Sequence, residues 1–77
     1  MPNEKELQKL FGRNIRLLRE VQGLTQEGFS RKAGINRSYL GGVERGQRTI
    51  CMGYIAKIAQ ALDVSPDALF KSDSSVV

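Results

Sequence analysis

Over the first twenty-three residues, apolar side chains recur at intervals of three and four: Leu7, Leu10, Phe11, Ile15, Leu17, Leu18 and Val21. A helix turns once every 3.6 residues, so this spacing collects them on one face and predicts an amphipathic helix over 4–22. Asn3 can open it, because Glu6 stands three residues further on in the reciprocal capping relation. Gly23 suits the left-handed turn that follows a helix end.

Beyond Gly23 a different pattern repeats. An apolar residue is followed by a candidate cap and then by a second apolar residue five positions after the first. Leu24 and Phe29 flank Thr25 in this way, Ile35 and Leu40 flank Asn36, Ile50 and Ile55 flank Cys51, and Val64 and Leu69 flank Ser65. Each is a hydrophobic staple that fixes the start of a helix. The predicted helices run over 26–33, 37–45, 52–62 and 66–71. Thr25, Asn36 and Ser65 each offer an oxygen to an orphan amide, whereas Cys51 is a poor cap. Pro66 sits at a first helical position, where its missing N–H costs nothing. No strand is predicted. The expectation is an all-α chain: a compact five-helix domain over 1–71 and a flexible polar tail over 72–77, where Ser72, Asp73, Ser74 and Ser75 give a core too little to bury.

From Gln26 to Arg45 the pattern describes a helix-turn-helix: a short helix, the turn Gly34-Ile35-Asn36, and a second short helix ending before Gly46. Gly34 supplies a positive φ at the turn without a side-chain clash. Phe29, Ala33, Ile35, Leu40 and Val43 form the inward face. Arg37, Ser38, Gly41, Gly42 and Arg45 remain on the other face of the second helix.

Composition narrows the chemistry. A chain of 77 residues holds one domain of modest stability, for which a second subunit would help. The net charge is +4 and the isoelectric point about 9.6. Residues 12–48 carry eight basic side chains against three acids, the first eleven residues balance, and 49–77 carry a net charge of −1. The excess charge therefore lies with the motif and suits an anionic partner. Without a histidine, and with Cys51 the only cysteine, neither the usual metal-ligand spacings nor a nucleophile–base pair can be written. The chain is expected to be no enzyme and to need no cofactor. A lone thiol suits a reducing, cytoplasmic compartment, with Cys51 itself an inert buried side chain. No apolar run is long enough for a signal peptide or a membrane span.

The blocks Leu24-Thr25-Gln26-Glu27, Gly34-Ile35, Tyr39-Leu40, Val43-Glu44-Arg45-Gly46 and Ile58-Ala59-Gln60-Ala61-Leu62 stand in order at one family's spacing. Through them residues 7–71 resemble the phage repressor and Cro family. Within that family the chain looks most like the controller proteins of restriction-modification systems, through Asn36-Arg37-Ser38-Tyr39 and Arg48.

The resemblance implies a sequence-specific transcription regulator, repressor or activator, that binds double-stranded DNA as a homodimer on a near-palindromic operator. It also implies that the second motif helix lies in the major groove. Arg37 and Ser38 are then the expected base contacts, Arg37 through a bidentate bond to guanine. Thr25, Gln26, Asn36, Tyr39, Arg45, Gln47 and Arg48 are the expected backbone contacts. Arg19 and Glu44 match an internal salt bridge, so Arg19 is left out of the binding set. Gly42 stands where many relatives place a base-reading side chain. Val64, Leu69 and Phe70 are the expected dimer surface, and RNA polymerase is a further candidate partner. The competing function is a protein-interaction module, such as an antitoxin, against which Arg37, Arg45 and Arg48 argue.

Overall fold

The computed structural model describes residues 3–72. Four α-helices, α1 Glu4–Val21, α2 Gln26–Ala33, α3 Arg37–Glu44 and α4 Met52–Leu62, are followed by a 3-10 helix, Pro66–Phe70. Among the described residues there is no strand. The predicted tail, apart from Ser72, lies outside them.

Caps set the helix starts. The Asn3 side chain accepts from the Glu6 amide at 2.8 Å while the Glu6 carboxylate accepts from the Asn3 amide at 3.0 Å, which completes the capping box of α1. Thr25 Oγ1 accepts from the Gly28 amide at 3.0 Å, and Asn36 Oδ1 from the Tyr39 amide at 3.0 Å. Cys51 makes no side-chain cap.

The last element departs from expectation. Ser65 makes no cap bond; its hydroxyl donates instead to the Asp67 carboxylate, which is thereby held below the usual carboxylate range. The Ala68 amide bonds to the Ser65 carbonyl at 3.0 Å, the three-residue closure of a 3-10 turn, which is favoured in short pieces.

Phe11, Ile15, Phe29, Leu40, Val43, Ile58, Leu62 and Leu69 form the core with almost no exposure. Leu7 and Val21, predicted on the inward face of α1, are 40% and 69% exposed; Leu7 borders an open hollow beside Ile50, Ile55 and Phe70, and Val21 is the last residue of the helix. α1 crosses the end of α3 so closely that a Cβ at Gly12 would collide with the Val43 carbonyl oxygen. The buried Asn14 amide ties the end of the 3-10 helix to α1 by donating to the Leu69 and Lys71 carbonyls at 2.9 and 2.8 Å. Among the described residues, no helix is long and apolar enough to cross a membrane.

Candidate nucleic-acid interface

The motif is fixed by one carboxylate. Glu44, at the end of α3, accepts from Arg19 Nε at 2.7 Å and from Arg19 Nη2 at 2.9 Å. Arg19 Nη1 donates to the Leu24 carbonyl at 2.8 Å, and Gln26 Nε2 donates to Glu44 at 3.0 Å. Both charged side chains are nearly enclosed, at 9% and 3% exposure. The Glu44 hydrogen bonds raise the Arg19 pKa above the ordinary guanidinium value. α1, α2 and α3 are thus locked together by a fork-to-fork pair with a third donor, an arrangement that sets geometry as much as it adds stability.

Gln26 gives one of its two amide hydrogens to Glu44, which leaves the other for a phosphate. Thr25 keeps its hydroxyl hydrogen, since the oxygen acts as the cap acceptor. Asn36 likewise uses its oxygen as a cap, which leaves its NH2 group as the donor to solvent or ligand.

Arg37 and Ser38 are exposed at the first two positions of α3. Tyr39 differs from expectation. Its ring packs on Tyr54 at 4.9 Å between centroids, and its hydroxyl donates to the Thr49 carbonyl at 3.1 Å. A hydroxyl has one hydrogen and a phosphate oxygen only accepts, so Tyr39 in this state holds the loop after α3. Burial pushes its phenol up from the ordinary value.

The outward face of α3 has an unexpected covering. Gly41 and Gly42 are buried, although they lie on the side away from the core. A Cβ at Gly42 would stand 2.6 Å from Arg48 Cγ, and Arg48 Cζ lies 5.7 Å from the Tyr39 ring centre. A Cβ at Gly41 would meet Arg45 Nη1 at 3.2 Å. The notch left by the missing side chains is therefore filled by two arginines folding back from the helix end and the loop. Arg45 is steadied by donating to Gln47 Oε1 at 3.0 Å. Thr49 pins the same loop to α1, accepting from Gln8 Nε2 at 2.9 Å. Among the described residues, Arg37, Arg45 and Arg48 have no carboxylate within 4.0 Å.

The helix-turn-helix family pattern matches residues 15–69. The chain belongs to the helix-turn-helix family. The uncharacterized HTH-type transcriptional regulator YazB of Bacillus subtilis is 43% identical over 61 residues, which span 79% of this chain and 88% of the relative. The control protein C.BamHI of Bacillus amyloliquefaciens is 34% identical over 61 residues, 78% of this chain and 75% of that protein. The crystal structure of the restriction-modification controller protein C.AhdI from Aeromonas hydrophila superposes with a TM-score of 0.80 at 48% identity, covering 82% of this chain and 96% of that one.

The proposed dimer surface is only partly at the surface. Leu69 is wholly covered by its own chain, because the 3-10 turn directs it into the core, and Val64 is half-buried against that core. Phe70 remains 45% exposed with its ring 5.0 Å from that of Phe11. Around it, Leu7, Ile50, Ile55 and Phe70 line an open apolar hollow of about 160 Å³. Cys51, expected to be buried, is exposed, since α4 begins at the surface. Lys5 and Lys9 cancel against Glu4 and Glu6 in the sequence sum, and only their four-residue spacing marks them as sharing a flank.

Proposed function

We propose that the chain is a sequence-specific regulator of transcription that lays α3 in the major groove of duplex DNA. The observation that carries this reading is the basic surface formed by α3 and the loop after it: Arg37 on the helix, Arg45 at its C-cap and Arg48 in the loop, none with a carboxylate within 4.0 Å among the described residues, on a motif held by Arg19, Gln26 and Glu44. Uncompensated cations on a rigid motif favour a polyanion. Thr25, Gln26, Asn36, Arg45, Gln47 and Arg48 supply the phosphate contacts, with Ser38 beside Arg37 at the bases. A homodimer brings two such helices to half-sites about 34 Å apart, joined through the apolar surface around Phe70. A cytoplasmic location accords with this target. The similarity to proteins named as restriction-modification controllers makes control of such genes the first role to test.

Arg37 is the principal base reader in this proposal, being long, planar and first on the helix. Arg37→Ala is expected to cost about 1–3 kcal/mol per half-site on a site selected from random duplexes, and much less on unrelated DNA. Arg37→Lys keeps the charge and loses the planar fork, so discrimination falls while non-specific binding persists. The measurement is the ratio of the two affinities at fixed salt. An unchanged ratio in both variants would make Arg37 a phosphate contact.

A further inference from the structure

We propose that the groove between the first turns of α1 and the loop after α3 is a second phosphate-binding site, gripping the DNA backbone beyond the bases that α3 reads. It rests on the DNA-binding reading and extends it to a face outside the motif. The groove is open, holds about 360 Å³, and is lined by Lys5, Gln8, Lys9, Arg45, Gly46 and Gln47. Lys5 and Lys9 stand four residues apart in α1, so their stems leave one flank of the helix about 6 Å apart along its axis. Arg45 faces them from the other wall.

The acids of the same turns are engaged elsewhere. The Glu6 carboxylate accepts from the Asn3 amide at 3.0 Å, and the Glu4 carboxylate from the Thr49 hydroxyl at 3.4 Å. Among the described residues, Lys5, Lys9 and Arg45 have no carboxylate within 4.0 Å. Glu4 and Glu6 keep their charge, but they are held by Thr49 and Asn3 and pair with neither lysine.

Backbone contact makes the groove stiff. Gly46, at φ +74°, rides so closely on α1 that a Cβ there would stand 2.8 Å from Lys9 Cγ and 2.9 Å from Lys9 Cα. The Gln8–Thr49 bond at 2.9 Å ties the next part of the loop to the same helix. Lys9 is therefore held in a set relation to Arg45, which is at once the end of the recognition helix and a wall of the groove. That shared residue makes the two surfaces continuous. Two ammonium groups spaced along a helix, with Arg45 in the facing wall and two side-chain amides beside them, suit successive phosphates of a strand.

The test compares the double variant Lys5→Gln, Lys9→Gln with the charge-matched control Lys32→Gln, Lys71→Gln on a mixed-sequence duplex of about three helical turns. All four substitutions are at exposed positions, and thermal melts check that both proteins fold. For the groove variant, the slope of log affinity against log salt becomes shallower by about two units per bound protomer. Its deficit against wild type then shrinks roughly tenfold between about 50 and about 200 mM salt, while the control keeps nearly the wild-type slope. The same deficit appears on every sequence. A groove variant that tracks the control at all salts overturns the proposal while the DNA-binding reading stands. A wild-type protein that binds no duplex removes both.

Discussion

Gly42 shows how a single missing side chain can shape the binding face. The absent Cβ opens a seat in which the Arg48 stem lies across α3, with its guanidinium near the Tyr39 ring. Gly42→Ala adds a methyl that the flexible arginine must avoid, while the helix gains about 1 kcal/mol of intrinsic propensity. Thermal stability is expected to hold or rise and DNA affinity to fall. In a double-mutant cycle, Arg48→Ala should then weaken binding less in the Gly42→Ala background than in wild type; equal losses would show that the notch does not seat Arg48. Tyr39 gives a prediction in pH. Its phenol is raised in the folded state, chiefly by burial, so the folded chain favours the neutral hydroxyl. That contribution is complete below the unfolded phenol value of about 10 and is lost as pH rises through the higher folded value. Denaturant unfolding over an alkaline series should therefore show wild type losing its advantage over Tyr39→Phe above about pH 10, and a constant difference would contradict this.

Elements of eight residues depend on their ends. α3 carries two glycines and is capped by Asn36, and isolated helices of this length are marginal. Asn36→Ala should cost about 1 kcal/mol and speed hydrogen exchange at the Tyr39 amide, with DNA affinity falling because Arg37 and Ser38 lie in the frayed turn. The opposite end depends on Glu44. Glu44→Ala leaves the enclosed Arg19 with only the Leu24 carbonyl and Glu20 at 4.0 Å, a loss of about 3–5 kcal/mol, measurable by equilibrium unfolding. The starts of α1, α2 and α3 were legible because Asn3, Thr25 and Asn36 act through neighbours three residues away. Ser65 misled for the same local reason. Asp67 competes for its hydroxyl, and a five-residue segment closes more readily as a 3-10 turn.

At the scale of the molecule, the proposed dimer rests on the exposed apolar side chains: Leu7 at 40%, Phe70 at 45% and Met52 at 81%. Met52 lies one helical turn before Ile55 on α4, and Ile55 lines the hollow beside Phe70. Sedimentation at micromolar concentration is expected to show a dimer, and Met52→Glu should shift it toward monomer with helix content unchanged. A wild type that stays monomeric with and without DNA would contradict the dimer.

What the sequence determined by itself was everything encoded over short separations: the helix periods, three of the caps, the turn at Gly34, and a motif whose outward face is basic. Residue type also limited the chemistry, since a chain with no histidine and one cysteine offers few groups for catalysis. Tertiary structure decided the relations between segments far apart in the chain. It enclosed Leu69, exposed Cys51, turned Gln26 toward Glu44 and Tyr39 toward Thr49, folded Arg48 over Gly42, and set Lys9 against Gly46. These outcomes depend on which side chain reaches a shared atom or cavity first and on how closely two backbones can approach. Spacing along a chain does not specify that competition, because distance and excluded volume arise only once the helices are packed.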